Sequence, residues 1–288
     1  MARFKQVDAF TQRPFLGNPV GVVLDADGMT GEEMQRVASW TNLSETTFFQ
    51  PATVPEADYR LRIFTPTSEL PFAGHPTIGS AHAALEAGIV RGPSFRMECG
   101  AGILPLRVTD GEGGRRIAVE APEAVFVREC GDLAGDVASA LGAGVLDEPA
   151  PTAMDNGPVW LFVRLEGSDA VAGLTPDMTA VAAFSHRGRI TGIAAYALLD
   201  GEGPRVHIRC FAPAFGVNED PVTGSANAAL PAVFARAGLL DTLGREYVAT
   251  QGRELGRDGR VYVRVLDDAG RSEIGGHAVT AIEGTIAV

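Results

Sequence analysis

Two stretches of this chain are near copies of one another. "HPTIGSAHAAL" begins at His75 and "DPVTGSANAAL" at Asp220, 145 residues further on, and seven of the eleven positions match. In a chain of 288 residues that offset is almost half the length, as two similar domains require. Both stretches are alanine-rich and apolar on most faces, so each predicts a central, buried helix rather than one laid on a surface. Gly88 and Gly238 follow them as stop residues. Each half then reads as a curved sheet around one long helix, with His75 and Asp220 as counterparts at the two helix mouths.

Short strands surround these helices. "YRLRIF" (59–64) places Tyr59, Leu61 and Ile63 on one face and Arg60 and Arg62 on the other, the period of two of a half-buried strand. "PVGVVL" (19–24), "VWLFVRL" (159–165), "IAAYALL" (193–199) and "VHIRCF" (206–211) read the same way. "TGEEMQRVASW" (30–40) is a helix whose Thr30 and Glu33 form a capping box. Further helices are expected at 132–141 and 176–184.

Composition removes several classes of function. With 24 basic and 36 acidic residues the net charge is −12, which lacks the basic footprint of a nucleic-acid binder. No apolar run approaches the ~20 residues that cross a bilayer. "MARFKQVDAF" lacks the basic start and apolar stretch of a signal peptide, so the expected compartment is the cytoplasm. Cys99, Cys130 and Cys210 are isolated and odd in number, against a disulfide framework. Lys5 is the only lysine; it falls in a first strand, is expected at the surface, and leaves no other amine for Schiff-base chemistry. His75, His82, His186, His207 and His277 show no metal-binding spacing, and no phosphate or dinucleotide loop is present.

The chemistry candidates gather at the helix mouths. His75 stands where a Ser, Thr, Asp or Asn cap is usual, with Pro76 after it. Two facing helix N-termini would offer free N–H groups and positive dipole ends to a carboxylate. Gly74, Gly79 and Gly224 would allow close approach to the backbone, unless they serve only turns and helix packing. Asp220 is equally a favoured cap, and Ser225 in "TGSAN" is no nucleophile elbow. Glu45 in "NLSETTFF" leads into an apolar strand, where desolvation would raise a carboxyl pKa towards that of a proton shuttle. An exposed turn glutamate is the alternative for that position.

"DAFTQRPFLGNPVGVVL", "NLSETTFF", "FTPTSELPFAGHPTIGSAHAAL" and "NEDPVTGSANAAL" resemble, in order and spacing, the signature blocks of the phenazine-biosynthesis PhzF-like proteins. The likeness runs from Val7 to the closing "GGHAVTAIEGTIAV". It implies the diaminopimelate epimerase-like fold, an α/β (α+β) architecture of two pseudo-symmetric domains, each a sheet curled around a central helix. Residues 1–120, completed by C-terminal strands at about 273–288, would form one domain and residues 121–272 the other. The implied activity is a cofactor-independent isomerase that moves a proton on a small carboxylic acid by general acid/base catalysis, in a cleft between the domains. No metal is implied, and a homodimer is. Glu45, His75, Asp220 and Ser225 match the family's catalytic positions. Substrate contacts are implied around Gly74 and Gly224, and at Asn18, Ser44 and Thr46.

Two other readings stay open: an inactive member that only binds a small molecule or a protein, and an amino-acid racemase or epimerase. Racemases of the wider fold use one cysteine at each helix mouth. Here the mouths read Ala73, Gly74, His75 and Asp220, Pro221, Val222, and Cys210 lies ten residues ahead of Asp220.

Overall fold

The computed structural model describes residues 1–111 and 113–288, in two compact units. The first comprises Met1–Glu120 with Gly275–Val288, and the second Ala121–Ile274. In chain order the first holds β1 (Ala2–Ala9), β2 (Asn18–Val23), α1 (Gly31–Thr41), β3 (Glu45–Gln50), β4 (Tyr59–Phe64), β5 (Glu69–Leu70), α2 (Gly74–Glu86), β6 (Ser94–Cys99), β7 (Gly102–Gly111) and β8 (Gly114–Glu120). The second holds β9 (Val125–Glu129), α3 (Ala134–Leu141), β10 (Thr152–Asp155), β11 (Val159–Arg164), α4 (Ser168–Ala172), α5 (Met178–Gly188), β12 (Gly192–Leu198), β13 (Val206–Ala212), β14 (Val217–Asp220), α6 (Gly224–Arg236), α7 (Leu240–Leu243), β15 (Glu246–Gln251) and β16 (Gly259–Val265). β17 (Ser272–Gly276) carries the chain back, and β18 (Ala278–Ile286) belongs to the first unit.

The pairing scheme of one unit repeats in the other. In the first, β2 pairs parallel with β3, β3 antiparallel with β4, and β4 with both β5 and β6 before β6 turns into β7. In the second, β11, β12, β13, β14, β15 and β16 repeat those relations, parallel where the first is parallel. β1 lies between β2 and β18, as β10 lies between β11 and β9. Each unit is therefore a mixed α/β fold. α2 packs against β1, β2, β3, β8 and β18, and α6 against β10, β11 and β16, so each central helix is buried on most sides.

Local sequence explains these elements. β4 alternates as its period of two requires, with Tyr59, Leu61 and Ile63 buried and Arg60 and Arg62 half-buried. The Thr30–Glu33 capping box is formed at the start of α1. Gly79 lies inside α2, where glycine costs about 1 kcal/mol relative to alanine. A Cβ there would stand 2.4 Å from Val20 Cγ1, so the residue serves close packing of α2 on β2, not approach of a ligand.

Lys5 corrects the surface expectation. It is 5% exposed, and its Nζ bonds Glu86 at 2.7 Å and Glu283 at 3.3 Å. Burial works against its charge, but the Glu86 and Glu283 carboxylates prevail and hold its pKa above the ordinary lysine value. Among the described residues no helix is long and apolar enough to cross a membrane.

Candidate active site

The mouth of α2 opens without a cap. Its N-cap is Ala73, in extended conformation and with no side-chain capping bond, whereas Thr30 and Asp177 cap α1 and α5. His75 is therefore not the cap residue but the second residue of the helix. Pro76 fits in the same turn because the first four N–H groups of a helix have no intrahelical acceptor.

His75 is 5% exposed, with Asn18 Nδ2 at 3.3 Å from its Nδ1. The Pro19 carbonyl also hydrogen-bonds the ring, so the surroundings offer the imidazole both a donor and an acceptor. Its Nε2 lies 3.2 Å from Glu45 Oε2, although not aligned as a hydrogen bond. Desolvation lowers the pKa of the ring to about 3, so the imidazole is neutral near pH 7.

Glu45 is the first residue of β3, and its side chain is 15% exposed. Successive strand residues face opposite ways. Thr47 shares the face of Glu45, and its hydroxyl meets Ser80 of α2 at 2.7 Å. Thr46 takes the opposite face, fully buried, with its Oγ1 2.8 Å from Thr41 Oγ1 at the end of α1. Of the residues expected at the ligand, Glu45, His75, Asn18 and Gly74 are thus brought together, and Thr46 is turned away. Ser44 is half-buried in the bend before β3.

The mouth of α6 is also uncapped, with Thr223 at the N-cap, Gly224 first and Ser225 second in the helix. Asp220 ends β14, and its Oδ2 accepts from Thr223 Oγ1 at 2.7 Å. Gln251, 2% exposed, joins the turn together. Its Nε2 donates to Asp220 O at 2.9 Å and Thr223 Oγ1 at 2.8 Å, and its Oε1 accepts from Thr223 N at 2.9 Å and Asn227 Nδ2 at 3.1 Å. Gly252, with φ +93°, lets the strand end lie against this turn, since a Cβ would meet Pro221 O at 2.5 Å. Ser225 accepts at Oγ from Trp160 Nε1 and at its carbonyl from Asn156 Nδ2, both at 2.9 Å.

The helices do not follow the sequence repeat. α2 and α6 start at Gly74 and Gly224, so the structural counterpart of His75 is Ser225, not Asp220. The stop glycines Gly88 and Gly238, with φ +70° and +69°, share this 150-residue spacing and were the signal for it. Trp160, Asn156, Thr223 and Gln251 went unnoticed because they come from three separate segments that only the fold unites.

Cys210 is nearer the chemistry than its sequence distance suggests. It pairs with Asp220 across β13 and β14, and its thiol interacts with Thr223 and Gln251. Full burial pushes its pKa far above the ordinary thiol value, against the thiolate that racemisation needs. Replacing Cys99, Cys130 and Cys210 by alanine should leave turnover within about threefold of wild type while the buried sites cost stability, about 1–3 kcal/mol. Turnover and chemical denaturation of the triple variant check this; lost turnover at unchanged stability would implicate a thiol.

Among the described residues no group of three or more His, Cys, Asp or Glu side chains is disposed to hold a metal ion. The family model of phenazine biosynthesis-like proteins (PhzC-PhzF) matches residues 7–284. A trans-2,3-dihydro-3-hydroxyanthranilate isomerase of Pseudomonas aeruginosa is 36% identical over 98% of this chain and 95% of its own length. Antisense-enhancing sequence 1 of Schizosaccharomyces pombe is also 36% identical, over 98% and 97%. Among solved structures, the Bacillus anthracis phenazine biosynthesis protein of the PhzF family superposes with TM-score 0.87 at 30% identity, over 100% of this chain and 99% of that one. A probable proline racemase of Agrobacterium radiobacter shares the fold alone, with TM-score 0.68 at 15% identity over 100% and 93%. With its strand and helix order repeated in both units, and with the family match spanning nearly its whole length, the chain is a member of the phenazine biosynthesis-like PhzC-PhzF family, an isomerase of the diaminopimelate epimerase-like fold.

Proposed function

We propose that this protein is a cofactor-independent isomerase that moves a proton between two carbons of a small carboxylic acid. The observation that carries the reading is the 3.2 Å approach of Glu45 Oε2 to Nε2 of a buried, neutral histidine at an uncapped helix mouth. Glu45 takes the proton from one carbon and returns it to another. His75 stands beside the carboxyl group as a neutral ring, so Glu45 is the group that changes charge. The substrate carboxylate rests on the open N–H groups of the first helical turn around Gly74, where the helix dipole favours an anion. In the second unit Asp220, Ser225 and the N–H groups around Gly224 form a second polar mouth for a ligand. A cyclic amino acid such as the dihydro-hydroxyanthranilate named for the Pseudomonas relative is the first substrate to try.

One carboxylate in this place favours isomerisation over two-base racemisation. β12 begins opposite Trp160 with Gly192, as β3 begins opposite Val20 with Glu45. At Gly192 a Cβ would meet Phe211 O at 2.1 Å, so no second side chain can stand there. An inactive binder would have no need of the Glu45–His75 approach.

The test is proton exchange in D₂O. Protein dialysed extensively against chelator should convert the candidate acid while placing solvent deuterium at the receiving carbon, read by mass spectrometry. Loss of turnover after dialysis, restored by a metal or organic cofactor, would defeat the cofactor-free reading. Absence of both turnover and exchange across cyclic and acyclic small acids would leave the binder.

A further inference from the structure

The acid/base reading makes no use of the way Ser225 is held. Trp160, 4% exposed, gives its indole N–H to Ser225 Oγ. An indole nitrogen only donates, so it occupies one acceptor site of the hydroxyl and leaves the hydroxyl proton to be given elsewhere. Asn156, 7% exposed, fixes the same residue through its carbonyl. The neighbouring hydroxyl is already spent, because Thr223 Oγ1 donates to Asp220. Ser225 itself is half-buried at the second position of α6, where its backbone N–H also has no intrahelical acceptor.

The indole has a seat made for it. Trp160 stands opposite Gly192 in the parallel ladder of β11 and β12, and a Cβ on Gly192 would lie 2.9 Å from the indole ring. Glycine at 192 and tryptophan at 160 therefore belong to one device. No counterpart exists in the first unit, where Val20 and Glu45 take these positions.

We propose that Trp160 is a positioning residue that orients the Ser225 hydroxyl with its proton turned away from the indole, so that the α6 mouth favours a carboxylate over the isosteric amide. The proposal rests on the reading of this mouth as part of the ligand site. Hydroxyl and backbone N–H then each present a donor, and the hydroxyl keeps only one lone pair to accept with. A carboxylate accepts from both through charge-assisted bonds, whereas an amide has one oxygen for two donors and an NH₂ that competes for the one remaining lone pair. With Trp160 removed, the hydroxyl can rotate and accept, and the discrimination falls.

The experiment uses two probes of one shape, benzoate and benzamide, titrated calorimetrically into the full chain at pH 7.5. The wild type should bind benzoate at least about tenfold more tightly than benzamide, and Trp160→Phe should reduce that ratio by about tenfold. Ser225→Ala should reduce it equally, and the double variant should go no further. Should Trp160→Phe not fold, Ser225→Ala carries the test, because the Trp160 indole N–H resonance must then move upfield and exchange faster. A wild type with no preference for benzoate, an undiminished ratio in a folded Trp160→Phe, or an unmoved indole resonance each overturns the proposal. Proton exchange in D₂O reports separately on the isomerase reading. Selectivity that depends on Trp160 in a protein without exchange would remove that reading and leave the positioning role intact.

Discussion

In the Glu45→Gln variant, turnover is expected to fall by about 10²–10⁴-fold while the fold and the affinity for substrate stay nearly unchanged. The exchange is almost isosteric and preserves an oxygen towards His75 Nε2, but an amide cannot take and return a proton at neutral pH. A 15% exposed side chain at a strand start makes little packing contribution that glutamine would forfeit. Single-turnover rates and equilibrium binding separate the two effects, since the loss belongs to kcat and not to KM. Wild-type turnover in this variant would take the acid/base role away from Glu45.

Stability is expected to fall steeply as the pH drops from 7 to 4.5. Desolvation lowers the pKa values of His75, His82, His207 and His277 below the ordinary histidine value. Between the folded and unfolded pKa of each ring the unfolded chain binds the extra proton, so acid favours unfolding. For His75 the window runs from about 6.5 down to about 3, and its contribution is fully present only above it. This ring alone should cost about 2–3 kcal/mol between pH 6.5 and 4.5. Urea unfolding at a series of pH values measures the slope, and His75→Asn should flatten it. An unfolding midpoint that holds constant from pH 7 to 4.5 would contradict a buried neutral ring.

Local patterns in the sequence were legible wherever one segment carries the whole signal. The alternation of "YRLRIF", the Thr30–Glu33 box and the apolar surroundings of α2 and α6 each depend on neighbours within a few residues. Glu45 was legible through the motif around it, and the strand face it shares with Thr47 then directs it towards α2. The register between the two central helices was not. Alanine-rich helices look alike when slid by five residues, and the better letter match lay off the structural register. Gln251 and Trp160 were hidden for another reason: their partners are 28 and 65 residues away, and hydrogen bonds over such spans have no period to read. Lys5 was misplaced because only β18 and the end of α2 supply the carboxylates that make its burial tolerable.

The pairing of β1 with β18 has a consequence for how the protein is made on the ribosome. Ala2 is matched with Ile286 and Ala9 with Ala278, so β1 waits for a strand made about 270 residues later. The second unit is one uninterrupted run, Ala121–Ile274, and can close as soon as that run has emerged. The earlier 120 residues must meanwhile hold β1 against β2 alone, with its other edge open. Closing contacts of such long sequence separation is slow, because loop entropy must be overcome before the contacts reward it. Vectorial synthesis therefore reverses the order of assembly: the half translated first is the half completed last.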